Sequence, residues 1–114
     1  MTHWLISFPS AAMRIPEEDL PDVVRDSHAM VRRAKDAGVW RFGGGVDEAV
    51  EPVRVHADGG TDRGPEAGLT HLDGGFAVLE LATREEALVW AARFAAACRC
   101  PQELRAFGAG SEAS

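Results

Sequence analysis

The fold is decided by residues 73–97, whose sequence is DGGFAVLELATREEALVWAARFAAA. In the first half, Asp73 and two glycines precede an apolar run over residues 76–81. A short run rich in Phe, Val and Leu between turn residues is typical of a β-strand. The second half, residues 87–97, has the composition of a helix. This stretch therefore predicts a strand that passes directly into a helix, as in an α+β domain.

The start of this helix is marked by a capping pattern. Thr83 is followed three residues later by Glu86. In such a pair, the threonine hydroxyl accepts from the backbone N–H of the glutamate, and the carboxylate reaches back to the backbone N–H of the threonine. We therefore expect the helix to begin immediately after Thr83.

The N-terminal part of the chain repeats the order strand, helix, strand. Residues 4–8 form a short apolar run that ends at Pro9 and predict a first strand. Apolar residues at helical spacing predict a helix over residues 16–37, which Gly38 is well placed to end. Residues 39–42 then predict a second strand.

Three glycines at positions 43–45 follow the second predicted strand. They suggest that another backbone or a ligand approaches closely. They do not form a phosphate-binding loop, because neither Gly-Lys-Ser/Thr nor a helix start follows them. The sequence predicts no cofactor.

The remaining elements complete a two-fold repeated order. Residues 53–56 alternate as a strand does, and Asp58-Gly59 is a turn signal, so a short hairpin is expected. Residues 101–107 predict a last strand. Two β-α-β halves with both helices on one face predict a ferredoxin-like β-α-β-β-α-β sandwich with an antiparallel sheet and an extra hairpin. We place this domain at residues 1–108 and expect residues 109–114 to form a flexible tail.

The predicted strands are apolar on both faces. Trp4 and Ile6 point one way and Leu5 the other, and Phe76 and Val78 oppose their apolar neighbours in the same manner. An antiparallel sheet with one solvated face alternates apolar and polar residues. The helices can cover only one face, so we predict that a second copy of the chain covers the other in a symmetric homodimer.

Composition limits the function. The chain has 114 residues, 12 Lys and Arg against 18 Asp and Glu, and a net charge of −6. No basic stripe is present, so nucleic acids and anionic membranes are poor candidates as partners. No apolar run approaches the length of a membrane span, and the N-terminus lacks the features of a signal peptide. We therefore expect a cytoplasmic protein.

Two cysteines, Cys98 and Cys100, are separated by one residue. This separation does not suit an unstrained disulfide between them, and free thiols are expected in a reducing compartment. With the four histidines, Cys-x-Cys raises a metal site, but its spacing fits no common zinc pattern. No metal is therefore predicted.

His28 lies on, or at the edge of, the inward face of the first predicted helix. It follows Val24 by one turn and precedes Val31 by nearly one. Two interpretations stay open: a histidine that makes one hydrogen bond at the margin of the core, or a functional acid–base residue.

Three segments resemble the YCII-related proteins, in the branch named for an Asp-Gly-Pro-Phe motif. Residues 25–28, with Gly38-Val-Trp, are similar to the first helix of that family and the glycine that follows it. Residues 62–65 resemble the motif with one residue inserted. Residues 74–76, continuing into residues 83–90, resemble the strand and helix after the motif.

The resemblance implies a ferredoxin-like fold, a homodimer of the dimeric α/β-barrel kind, and a small-molecule cleft that contains a histidine and an aspartate. By this resemblance His28 is the acid–base residue. The sequence also departs from the family: Glu66 replaces the phenylalanine of the motif, and Thr70-His71 replaces a Lys-Glu pair.

Two functions follow as hypotheses. In the first, His28 transfers a proton on a small organic molecule while Asp62, or alternatively Asp58, orients its ring. His71 is then either a second acid–base group or a surface histidine, and the further residues expected to line the cleft are His71, Asp58 and Gly44. In the second, the same cleft holds a small ligand without catalysis, or the dimer docks on a partner protein.

Overall fold

The computed structural model describes residues 1–112 and contains six strands and two α-helices over that range. In chain order these elements are β1 (Thr2–Phe8), α1 (Leu20–Asp36), β2 (Trp40–Gly45), β3 (Val53–Val55), β4 (Thr61–Arg63), β5 (Gly75–Leu81), α2 (Arg84–Cys98) and β6 (Glu103–Ala106). The last two residues of the predicted tail, 113 and 114, lie outside the described range.

The main sheet has the strand order β2-β5-β1-β6, and every neighbouring pair is antiparallel. The strands β3 and β4 form a separate antiparallel hairpin. The predicted α+β class with an antiparallel sheet and an extra hairpin is therefore confirmed. The strand order is consistent with a ferredoxin-like sandwich.

One face of the sheet packs against the helices. In the register of the sheet, Trp4 pairs with Leu79 and Ile6 with Ala77, and paired residues share a face. These side chains are buried against Trp90 and other residues of α2. Burial of a side chain such as Ile6 or Leu79 contributes roughly 1.5–3 kcal/mol, so this face is the centre of the core.

The helix α2 begins as predicted, with one difference in detail. Thr83 is its N-cap and accepts from the backbone N–H of Glu86 at 3.2 Å. The carboxylate of Glu86 accepts from the backbone N–H of Ala82 at 3.3 Å rather than from that of Thr83. The reciprocal bond is shifted by one residue, and it still satisfies a backbone donor at the strand–helix junction.

The helix α1 starts later than predicted. Residues 17–19 form a separate 3-10 turn, and the α-helix begins at Leu20. The end agrees with the prediction: Gly38 adopts a positive φ of 75°, and its N–H donates to the carbonyl of Lys35. The helix buries Val23 and Ala34, so it is held at two points along its length.

A β-bulge interrupts β2 at Arg41. Trp40 pairs with Leu79, and Phe42 pairs with Val78. Because neighbouring residues of β5 point to opposite faces, Trp40 faces the helices and Phe42 faces the other side of the sheet. Phe42 is 70% exposed there. Leu5, Phe76 and Val78 share this outer face and are only half-buried.

The segment 46–72, here called the hairpin arm, contains β3 and β4. Arm residues 46–61 are all exposed, and Val55 at the centre of the hairpin is 66% exposed. The radius of gyration is 16.1 Å and the dimensions are 43 × 42 × 19 Å. A compact domain of this length has a radius of gyration of roughly 13 Å. The arm therefore extends the molecule beyond its core.

Candidate functional site

A cleft of about 690 Å³ lies between α1 and the sheet at the edge strand β2, and its lining also includes Phe42, Gly44 and Phe76 of the outer face. Its volume is within the range of roughly 300–1,000 Å³ that is typical of small-molecule sites. We call it the α1 cleft. Most of its lining is apolar, and the lining residues include Ile6, Phe8, Met13, Val23, Val24, Val31, Trp40, Phe42, Ala77, Phe94 and Cys98.

The cleft exists because the strands beneath α1 carry small residues. Gly43 pairs with Ala77 and Gly45 with Gly75, so these four positions share the helix-facing side of β2 and β5. With so few side chains there, the space between helix and sheet is not filled. α1 consequently leaves Val24 53% exposed at the mouth of the cleft.

The aromatic rings of Trp40 and Phe8 lie against Gly43 and Gly75, respectively, and form walls of the cleft. A Cβ at position 43 would overlap the indole ring of Trp40, and a Cβ at position 75 would come within 2.5 Å of the Phe8 ring. Trp40 also packs on Phe94, with ring centroids 6.2 Å apart. The sequence predicted that another backbone or a ligand approaches residues 43–45 closely, whereas the nearest group at Gly43 is the Trp40 ring of the same strand. Gly44, which we expected in the cleft, lines it.

His28 is located on the α1 wall of the cleft and is exposed. Within the described residues, no carboxylate oxygen lies within 4.0 Å of its ring nitrogens, and its side chain makes no hydrogen bond there. The structure therefore gives the imidazole open access to the cleft and no orienting partner among residues 1–112.

Asp62 does not meet His28. It lies in β4, where its Oδ2 atom accepts from Arg54 Nη1 at 3.2 Å and lies 2.9 Å from His56 Nε2. The imidazole–carboxylate pair that forms is His56–Asp62, and both side chains are substantially exposed. Arg54 additionally donates to the carbonyl of Ala67 at 2.9 Å, so this cluster fixes the hairpin arm.

The other two expected lining residues also lie away from the cleft. Asp58 accepts from the backbone N–H of Gly60 at 2.8 Å and so stabilises the turn of the hairpin. The side chain of His71 is 85% exposed and its Nε2 is 3.1 Å from Asp73 Oδ2. Local turn geometry holds Asp58 at the tip of the arm, and Asp73 holds His71 at its base.

Asp73 is a polar centre that the sequence did not identify. It is buried, and its carboxylate accepts from the backbone N–H of Ser10 at 3.0 Å and from the Ser10 hydroxyl. These two hydrogen bonds, with a smaller contribution from His71, hold the pKa of Asp73 below its ordinary value of 3.8 despite burial. Ser10 contacts the carboxylate and not an imidazole, so this is not the arrangement that activates a serine nucleophile.

The cysteines are buried free thiols, as expected. Burial, with a smaller contribution from Cys100, raises the pKa of Cys98 to about 11, and burial also raises the pKa of Cys100. Thiols of this kind are protonated at neutral pH and are poor nucleophiles. No group of three or more His, Cys, Asp or Glu side chains within residues 1–112 is arranged to hold a metal ion.

Two basic residues that the sequence analysis did not propose for the site, Arg32 and Lys35, also line the cleft. Both lie on α1 beyond His28, and their side chains reach the mouth of the cleft. Helical spacing of four and three residues could have placed them beside His28. The apolar stripe of the helix did not indicate them, because the cleft lies at the edge of that stripe.

No helix in the part of the chain that the structure describes is long and apolar enough to span a membrane. Neither a family model nor a curated protein matches the chain.

Proposed function

We propose that this chain binds a small organic molecule in the α1 cleft and acts as a YCII-related homodimer. The observation that carries the binding proposal is the cleft itself: about 690 Å³ of largely apolar space with His28 on its wall. Apolar surface supplies affinity for an organic ligand, and a few polar groups at the wall supply orientation.

Binding without catalysis is the function that we favour. A histidine that works as a general acid or base is commonly oriented by a second group. Within the described chain, His28 has no carboxylate within 4.0 Å, and Asp62 is engaged by Arg54 and His56. The altered motif at Glu66 and His71 agrees with a site that has lost, or never had, its catalytic partners.

Proton transfer by His28 is the second candidate, and one observation favours it. The side chain makes no hydrogen bond within the described residues, so both ring nitrogens are free to exchange a proton with a bound molecule. A substrate would then bring its own orienting group.

A ligand screen tests the binding proposal. The chain contains three methionines, of which Met13 lines the cleft. With [¹³C-methyl]methionine-labelled protein, binding of a small acid or phenol in the cleft is expected to shift the Met13 methyl resonance, while the exposed Met1 serves as an internal control. The proposal is contradicted when no compound in such a panel stabilises the protein in a thermal-shift assay and none shifts the Met13 methyl resonance at millimolar concentration.

A matched pair of variants separates binding from catalysis. Each compound that shifts Met13 is incubated with the protein and its conversion is followed by NMR. Catalysis by His28 predicts conversion that His28→Gln abolishes and that His56→Gln, a change at an exposed histidine of the hairpin arm, preserves. Binding without conversion supports the favoured proposal.

The homodimer is supported by surfaces that one chain leaves uncovered. Leu5, Phe76 and Val78 form an apolar centre on the outer face of the sheet, and Phe42 extends it. Charged residues of both signs border this face, with Arg41 near Glu80 at 3.4 Å and Arg105 near Glu103 at 2.9 Å. A second copy related by two-fold symmetry presents the same charged residues of both signs, so acidic residues of one copy can face basic residues of the other.

The hairpin arm adds a second reason for the dimer. It carries exposed apolar side chains away from the core: Val46, Val50, Val53, Val55 and Leu72. Scattered exposed apolar residues are ordinary, but a set of five on one extended segment is typical of a surface that contacts another chain. We propose that the outer face and the arm both contact the second copy, in the manner of a dimeric α/β barrel.

A further inference from the structure

We propose that the ligand of the α1 cleft is an organic carboxylate with an apolar body. The inference rests on the binding function proposed above and adds the chemical class of the ligand. It depends on the charged residues that border the cleft. These residues are basic, whereas the net charge of the whole chain is negative.

The charged residues that line the cleft are all basic. They are Arg32, Lys35 and Arg41, and the lining contains no Asp or Glu. The chain as a whole carries 18 acidic and 12 basic residues. A basic border on an acidic protein attracts an anion locally, because short-range fields at a cleft with apolar walls exceed the screened field of the distant charges.

Arg32 and Lys35 are available to a ligand. Their side chains form no hydrogen bond or ion pair with any described residue. Arg41 is already occupied: its Nε is 3.4 Å from Glu80, and its Nη1 donates to the carbonyls of Gly38 and Trp40. Direct contact with an anion is therefore assigned to Arg32 and Lys35, and Arg41 adds only a background field.

Two of the three acidic residues of α1, Asp22 and Asp26, are paired with arginines, and the third, Asp36, does not line the cleft. Asp26 accepts from Arg99 at 3.3 Å and from Arg25 at 3.4 Å, and Asp22 is 3.1 Å from Arg25. His28, Arg32 and Lys35 follow one another at spacings of four and three residues and form one edge of the cleft.

The apolar part of the ligand is assigned to the floor of the cleft. Ile6, Val23, Ala77 and Phe94 are buried residues at this floor, and Trp40 and Phe8 supply aromatic walls. A carboxylate at the α1 edge with a ring or branched chain on the floor uses both surfaces together. A free inorganic anion would use only the edge.

The test compares two ligands of the same shape, 2-naphthoate and 2-naphthamide, by calorimetry and by the Met13 methyl shift. Each direct contact with a charged group is worth about three- to tenfold in affinity at an exposed site. The naphthoate is expected to bind about tenfold more tightly than the amide, and this preference should shrink in high salt. Inorganic phosphate should leave the Met13 resonance unchanged.

Variants assign the preference to named residues. Arg32→Gln and Lys35→Gln are each expected to weaken naphthoate binding about three- to tenfold and to leave naphthamide binding unchanged. Arg33→Gln is the matched control, because it removes the same charge from the same helix at an exposed position that does not line the cleft. It should bind both compounds like the wild type.

The outcomes separate the two proposals. Equal binding of naphthoate and naphthamide with a Met13 shift overturns the carboxylate assignment and leaves the small-molecule cleft standing. If Arg32→Gln and Arg33→Gln weaken naphthoate binding equally, the carboxylate assignment is also overturned, because the effect then reflects the net charge of the protein. A Met13 resonance that neither compound moves contradicts both proposals.

Discussion

At the residue scale, Asp73 shows how one buried carboxylate organises two distant segments. Its hydrogen bonds from Ser10 tie the turn after β1 to the residue that precedes Gly74, where β5 is about to begin. Gly74 has a φ of +78°, and a Cβ there would overlap the carbonyl oxygen of Phe8. Together, the Asp73 carboxylate and Gly74 hold the end of β1 close to the start of β5.

Asp73→Asn is expected to lower stability at neutral pH and to change its pH dependence. The pKa of Asp73 is lowered in the folded state, so its charged form adds stability above the unfolded value of 3.8, and this is lost as pH falls toward the lower folded pKa. Urea unfolding of wild type and variant should therefore differ at neutral pH, and the difference should begin to shrink as the pH falls through the unfolded value of 3.8. Glu51→Gln, at an exposed position, is the control. A gap that stays constant with pH argues against this role.

At the element scale, the two helices differ in how firmly the sheet holds them. α2 buries Ala87, Trp90, Ala91, Phe94, Ala97 and Cys98, whereas α1 buries only Val23 and Ala34. Helical stability in proteins comes mainly from the packing of the apolar face. α2 is therefore the structural helix, and α1 is free to border a cleft.

Thr83→Ala is expected to destabilise the protein by about 1 kcal/mol, because it leaves the backbone N–H of Glu86 without its acceptor. Thr83→Ser keeps a hydroxyl and should restore most of the loss. Thr70→Ala, at an exposed loop position, should have little effect. Free energies of unfolding from urea titrations test the series. Equal stability of the Ala and Ser variants would show that the cap contributes nothing.

At the scale of the whole molecule, the chain is thin and extended. One dimension is 19 Å, about the depth of a helix layer on a sheet, and the other two exceed 40 Å. The outer face and the hairpin arm leave apolar surface exposed that a single chain cannot cover. A second copy would supply the missing layer.

Light scattering should find a dimer at micromolar concentration. Phe42→Glu places a charge on the outer face and is expected to shift the population to monomer. Leu88→Glu is the matched control, because Leu88 is 48% exposed on α2 and lies away from that face. A monomeric wild-type protein contradicts the homodimer. If Leu88→Glu disrupts the dimer and Phe42→Glu does not, the interface lies at α2 and not on the outer face.

The amino-acid sequence by itself determined the element order, the start of α2 at Thr83, the end of α1 at Gly38 and the two apolar faces of β1 and β5. Each of these depends on residues that lie within a few positions of one another, where capping, turn and alternation rules apply. The placement of His28 at the edge of the inward face was within reach of the sequence for the same reason.

Only the tertiary structure decided the features that join distant segments. Asp73 finds Ser10 across 63 residues of chain, and Asp62 pairs with His56 because β3 and β4 fold onto each other. Strand alternation would place Trp40 and Phe42 on the same face, but the bulge at Arg41 sends them to opposite ones. The cleft follows from glycines of two strands that become neighbours only in the sheet, since empty space between elements leaves no periodic signal in the sequence of either.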